Sequence, residues 1–170
     1  MPSSRVAAVD TKLLIGEAIG IPHHRAALDH FRNQFRFVLA VCPVTIAELN
    51  ASVELGDVNT QRMAGRVLED LDDSDYIRPV LTDTEEQVVE IHARRILERG
   101  VLPGGNLQDA RLLIEAAYSD SVCILTTRDP LLDAASDSLK LALVECGMIP
   151  MAILSPSQIV AWINRIANPA

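Results

Sequence analysis

RVAAVDTKLL, residues 5–14, changes its apolar pattern at one residue. Val6 to Val9 is a short apolar run, the signature of a strand buried on both faces. It stops at Asp10. Leu13 and Leu14 then resume the apolar pattern after Thr11 and Lys12. A helix starting at Thr11 with Asp10 as its cap accounts for the change. A carboxylate at the end of a buried strand also suits a functional site. Both readings stay open until the other acids of the chain are located.

The same change of pattern recurs along the chain. Short apolar runs at 5–9, 37–41, 76–81, 122–126 and 151–154 read as buried strands. Longer segments with helical spacing lie between them, at 24–35, 44–55, 60–71, 82–99, 107–119, 131–144 and 157–166. Thr82 and Glu85, three apart, form a capping-box pattern at the start of one helix. Pro103-Gly104-Gly105 is a loop before another. Strands alternating with helices imply a parallel sheet covered on both faces. No repeat or low-complexity linker interrupts the pattern, and 170 residues suit one domain spanning 1–170.

Composition narrows the class. Apolar residues make up 49% and charged residues 22%, ordinary for a soluble globular chain. No apolar run approaches the length that spans a bilayer, and the N-terminus lacks a signal-peptide pattern, so the expected location is cytoplasmic. Cys42, Cys123 and Cys146 are odd in number and sit among apolar neighbours, as buried reduced thiols do. No CxxC or HExxH pattern is present, which argues against zinc. The adjacent His23 and His24 would point about 100° apart on a helix and lack a partner spacing for metal.

The net charge of −8 is local. Residues 67–90 hold nine acids and one base; of the 23 acids and 15 bases in the chain, 14 of each remain elsewhere. The acid run at 67–75 reads as a solvated helix end and loop, or as a surface for a basic partner. Acidity overall therefore does not exclude nucleic-acid binding elsewhere. Thirteen of the fifteen bases are Arg, the residue type suited to phosphate.

In an open α/β sheet, sites form beyond the carboxyl ends of the strands. Asp10 follows the first strand, and Asp129 follows the strand in VCILTTRD. Glu48, in VTIAELNA, and Asp109, in GGNLQDARLL, sit at helix starts that can point back to the sheet edge. Each has a local explanation. Asp10 suits a cap, Asp129 precedes Pro130 as a cap would, Asp109 favours the helix dipole, and Glu48 suits a solvated helix position. Those explanations do not account for four acids in four such places. Converging carboxylates repel one another without a cation, and hard oxygen donors suit Mg²⁺ or Mn²⁺.

The ordered set VDTKLL, VTIAELN, DARLLIEAA and ILTTRD resembles the PIN-domain family of metal-dependent ribonucleases. The resemblance rests on a first strand ending in Asp10, Thr45-Ile46-Ala47-Glu48, Asp109-Ala110, and Thr127-Arg128-Asp129. The ending MAILSPSQIVAWI is similar to the family's last strand and final helix. The resemblance implies a three-layer α/β/α fold with a parallel five-stranded sheet. It implies Mg²⁺ or Mn²⁺ in a pocket of Asp10, Glu48, Asp109 and Asp129, with Asp10 and Asp109 foremost among the ligands. The Thr127 hydroxyl would support that pocket by hydrogen bonding. The implied reaction is hydrolysis of an RNA phosphodiester bond by metal-activated water. Lys12, Arg111 and Arg128 are the bases nearest the acids in sequence, with RNA backbone or local acids as their partners. Asp133, one turn after Asp129, is a further candidate or a solvated acid. The resemblance also implies an antitoxin partner covering the pocket and a homodimer.

The chain departs from the pattern at Lys12, where the family carries a small polar residue. A lysine there contacts phosphate or carboxylate, or competes with metal. The second departure is the long stretch from Pro130 to Pro150, with Leu139, Leu141, Leu143 and Val144 as core or partner surface. Two other readings follow: a catalytically impaired PIN-like RNA-binding or scaffold protein, and a different Mg²⁺-dependent phosphohydrolase. The haloacid-dehalogenase type needs a second Asp where Lys12 stands, which argues against it.

Overall fold

The computed structural model describes residues 5–72 and 75–167. Strand β1 (Val6–Val9) leads through Asp10 into α1 (Thr11–Ala18), followed by α2 (Pro22–Asp29) and a π-helical turn over His30–Gln34. Strand β2 (Val38–Ala40) precedes α3 (Pro43–Leu55), α4 (Val58–Asp72), α5 (Asp83–Glu98) and α6 (Leu107–Tyr118). Then come β3 (Ser121–Leu125), α7 (Asp129–Leu132), α8 (Ser136–Glu145), β4 (Ala152–Leu154) and α9 (Pro156–Ala167).

The strands form one parallel sheet in the order β2-β1-β3-β4, with Ala8 opposite Ala40 on one side and Ile124 on the other. The chain leaves β1 toward β2 on one flank and later returns to β3 on the other. The strand order therefore reverses between β1 and β3, where an open sheet leaves a crevice beyond its carboxyl ends. Asp10 ends β1 at that crevice, and its backbone N–H donates to the Leu125 carbonyl of β3 at 3.1 Å.

Alternation along the strands sorts the core into two layers. Ala8 and Ile124 pack with Val89, Ala93 and Ile96 of α5 and with Leu112 and Leu113 of α6. Ala7, Val9, Cys123 and Leu125 face the other way, toward Leu13, Leu28, Val67 and Ile159 of α1, α2, α4 and α9. Helices thus cover both faces, which is why the strand sequences are almost wholly apolar. On the second face Gly16 lets α2 come close, since a Cβ there would lie 1.9 Å from Nδ1 of the buried His24.

Three expectations change. Among the described residues the sheet has four strands; the fifth expected strand, at 76–81, makes an isolated parallel bridge between Ile77 and Ala40. Ile77 donates to the Leu39 carbonyl and accepts from Val41, both at 2.9 Å. Pro79 then has no N–H to extend the ladder, and Val80 is 91% exposed. The helix expected over 131–144 is two helices, α7 and α8, with Ala135 extended between them. The break lets Leu131 of α7 and Leu139 and Leu143 of α8 join the same core, while Leu141 and Val144 stay exposed. The helix expected over 24–35 starts two residues earlier, with Pro22 in its first turn, and ends in the π-helical turn. The Thr82–Glu85 capping box forms as its spacing requires. Of the acid run at 67–75, residues 73 and 74 lie outside the described residues. Among the described residues no helix is long and apolar enough to cross a membrane.

Candidate functional site

Asp10 is fully buried, and its carboxylate accepts hydrogen bonds on both oxygens. Oδ1 accepts from the Leu13 backbone N–H at 2.7 Å, capping α1. Oδ2 accepts from the Thr126 hydroxyl at 2.6 Å and from the Thr127 N–H at 3.0 Å, both just beyond β3. The cap and the site are therefore the same carboxylate, one oxygen serving each.

Glu48 reaches the crevice because α3 is anchored at its start. Pro43 opens the helix, and Cys42 supplies no side-chain cap. The Val44 N–H instead donates to Glu115 Oε2 of α6 at 2.7 Å. The buried Thr45 hydroxyl donates to the carbonyl of Val9, the last residue of β1, at 3.4 Å. Glu48 follows Thr45 by three residues, so it shares that face of the helix. Its Oε2 accepts from the Thr11 hydroxyl. Burial raises the pKa of Glu115; the Val44 hydrogen bond and Arg111 pull against that shift.

Asp109 sits three residues into α6, where it closes a capping box. Asn106 accepts from the Asp109 N–H at 3.1 Å, and Asp109 Oδ2 accepts from the Asn106 N–H at 2.9 Å. That leaves Oδ1 free to face the crevice.

Arg128 joins the three acids. Its Nη1 donates to Asp109 Oδ1 at 3.0 Å, its Nη2 donates to Glu48 Oε2, and its Nε lies 3.8 Å from Asp10 Oδ2. The side chain is 10% exposed, against 0%, 24% and 7% for Asp10, Glu48 and Asp109. Nε is buried without a hydrogen-bond partner. Burial opposes the guanidinium charge; the hydrogen bond to Asp109 and the charges of Glu48 and Asp10 outweigh it and raise the pKa. One fixed positive charge thus faces three carboxylates.

The other expected residues are not part of this cluster. Asp129 is exposed at the first position of α7, and its carboxylate makes no hydrogen bond or ion pair with a described residue. It does not cap α7: Arg128 holds the cap position, without a side-chain cap bond. Adjacent side chains diverge, so an inward Arg128 turns Asp129 away. Lys12 is exposed and pairs with none of the described residues. The hydroxyl that bonds Asp10 belongs to Thr126, while Thr127 Oγ1 is buried without a partner. Arg111 pairs with Glu90 and Glu115 instead of the crevice acids. Asp133 is exposed. Thr11 and Thr126 went unpredicted; Arg128 was expected to meet RNA backbone or local acids, and it meets three acids at once. Only the position of Arg128 between Thr126-Thr127 and Asp129, at a strand end, carried a signal.

The donor set is that of a hard divalent cation: carboxylate oxygens from three elements, with net negative charge left over. The arrangement does not fit such an ion while the guanidinium is in place. Arg128 bonds the oxygens a metal would need, and among the described residues no group of three or more His, Cys, Asp or Glu is arranged to hold one.

No protein-family model matches the sequence, and no curated protein does. A solved structure does: the chain is similar to one in the crystal structure of VapBC2 from Rickettsia felis bound to a DNA fragment from their promoter. The TM-score is 0.58 at 12% identity, over 88% of this chain and 98% of that one. At that identity the likeness concerns the fold.

Proposed function

We propose that the crevice beyond β1 and β3 is the active site of a PIN-type endoribonuclease dependent on Mg²⁺ or Mn²⁺. The observation that carries this reading is the meeting of Asp10, Glu48 and Asp109 at the sheet's switch point, all three on one cation. The shared fold and the ordered sequence motifs support it. With the Arg128 guanidinium withdrawn, Asp10, Glu48 and Asp109 would hold the ion, with Asp129 at the exposed start of α7. When bound, it would lower the pKa of an attacking water and offset charge on the phosphate. The chain's own residues preset the geometry. Leu13, Thr126 and Thr127 fix the Asp10 carboxylate, Asn106 fixes Asp109, and Thr11 steadies Glu48. Glu48 is the most exposed of the three acids and the first that a substrate would meet.

The proposal extends to a toxin paired with an antitoxin that covers this crevice, and to a homodimer. A small protein co-purifying with the chain and blocking its activity would support the first. A monomeric mass in solution would contradict the second. The reaction is tested by incubating labelled single-stranded RNA with the protein in Mn²⁺. Cleavage that stops with EDTA is expected. Cleavage that survives EDTA, or no cleavage under any divalent condition, contradicts the reading.

One observation favours a second reading. Arg128 already neutralises part of the acid cluster, as suits a non-catalytic RNA-binding or scaffold protein. RNA binding without cleavage, unaffected by divalent ions, would establish that alternative.

A further inference from the structure

We propose that Arg128 and a divalent cation are alternative occupants of the same acid pocket, the guanidinium serving as a built-in counter-ion that the metal displaces. The inference rests on the metal-dependent reading above and adds a regulatory device to it.

Charge is the first argument. Asp10, Glu48 and Asp109 carry three negative charges against the single charge of Arg128. The guanidinium leaves two uncompensated, and a divalent ion would leave one. Geometry is the second. The Arg128 side chain is nine-tenths buried and aimed into the cluster, yet its Nε has no hydrogen-bond partner. Its fit to the acids is therefore incomplete.

The third argument is that every acid has an anchor besides Arg128. Asp10 is held by Leu13, Thr126 and Thr127, Asp109 by the Asn106 N–H, and Glu48 by the Thr11 hydroxyl. Withdrawing the guanidinium leaves each carboxylate its own anchor. The backbone of Arg128 is itself fixed, its N–H donating to Thr126 Oγ1 at 3.0 Å. Rotation about the side-chain bonds of Arg128 is thus enough to empty the pocket, with no shift of β3 or α7. Glu48, the least buried of the three acids, marks the side toward which the side chain can leave.

A pocket that must first expel its own arginine binds metal with an affinity reduced by the fraction of molecules in the arginine-out state. Where that state is a minor one, at or below roughly a tenth of the population, the reduction is about tenfold or more.

The test is calorimetric titration of MnCl₂ into the wild-type protein and the Arg128→Ala and Arg128→Gln variants, without RNA. Both variants should bind Mn²⁺ about tenfold or more tightly than wild type. Arg128→Gln serves where Arg128→Ala fails to fold, as judged by circular dichroism. Equal or weaker binding by a folded variant overturns the exchange. If such a variant binds no better while the wild type cleaves RNA in Mn²⁺, the exchange fails and the nuclease reading stands. Tighter binding by the variants with no RNA cleavage by any form leaves the exchange standing and removes the nuclease reading. No Mn²⁺ binding by any form overturns both.

Discussion

The Thr126 hydroxyl donates to Asp10 Oδ2 at 2.6 Å, across 116 residues of sequence. This bond closes the crevice between β1 and β3, and it is charge-assisted and buried, the stronger kind of hydrogen bond. The neighbouring Thr127 contributes its backbone N–H to the same oxygen, while its own hydroxyl has no partner.

Substituting each threonine by valine therefore separates the two. Thr126→Val removes a donor from a buried carboxylate and should cost about 1.5–3 kcal/mol. Thr127→Val keeps the backbone bond and deletes an unsatisfied hydroxyl, so stability should hold within about 0.5 kcal/mol. Urea denaturation midpoints measure both; equal losses would contradict the assignment of Thr126 to Asp10.

Glu115 carries the start of α3 from outside that helix, through the Val44 N–H. Glu115→Ala should cost about 1–3 kcal/mol by leaving that N–H buried and unpaired. The pH dependence has a definite sign. Burial raises the folded-state pKa of Glu115 above its ordinary value, so between the two values the folded protein binds more protons than the unfolded chain. The contribution of Glu115 is greatest below the ordinary carboxylate pKa and declines as pH rises through the raised one. Glu115→Gln, which still accepts from Val44, should flatten that decline when melting temperatures are compared across mildly acidic pH. An unchanged slope would show that Glu115 is not its source.

Burial pushes the Cys42 and Cys123 thiols up to about 12, whereas Cys146 is partly exposed. At pH 8 the native protein should expose one thiol to an aromatic disulfide reagent, and three after denaturation. Cys146→Ser should abolish the native reaction. Two or three reactive thiols before denaturation would contradict the burial of Cys42 or Cys123.

Local pattern made the fold readable. The switch from apolar run to helical spacing at Asp10 marked β1 and α1, and Thr82 with Glu85 marked the start of α5. Ile77 pairs as a strand would, but Pro79 ends the ladder, so an apolar run overstated the sheet. Asp10, Glu48 and Asp109 were readable because their positions at strand and helix ends follow from local sequence. That Arg128 joins all three of them, beyond pairing with a local acid, was not. An arginine reaches several neighbours, and which it pairs with depends on where three distant segments meet. That choice also turned Asp129 outward, although its place in the motif is as regular as the others. The role of Thr126 was hidden for a related reason: which of two adjacent hydroxyls faces Asp10 depends on how β3 ends.

The most direct measurement of the central claim is the single-turnover rate of single-stranded RNA cleavage in Mn²⁺ for wild type, Asp109→Asn and Asp120→Asn. Asp120 is an exposed acid in the turn between α6 and β3, outside the pocket. The account predicts that Asp109→Asn slows cleavage about a hundredfold or more while Asp120→Asn cleaves at the wild-type rate. Cleavage by Asp109→Asn at the wild-type rate would contradict it.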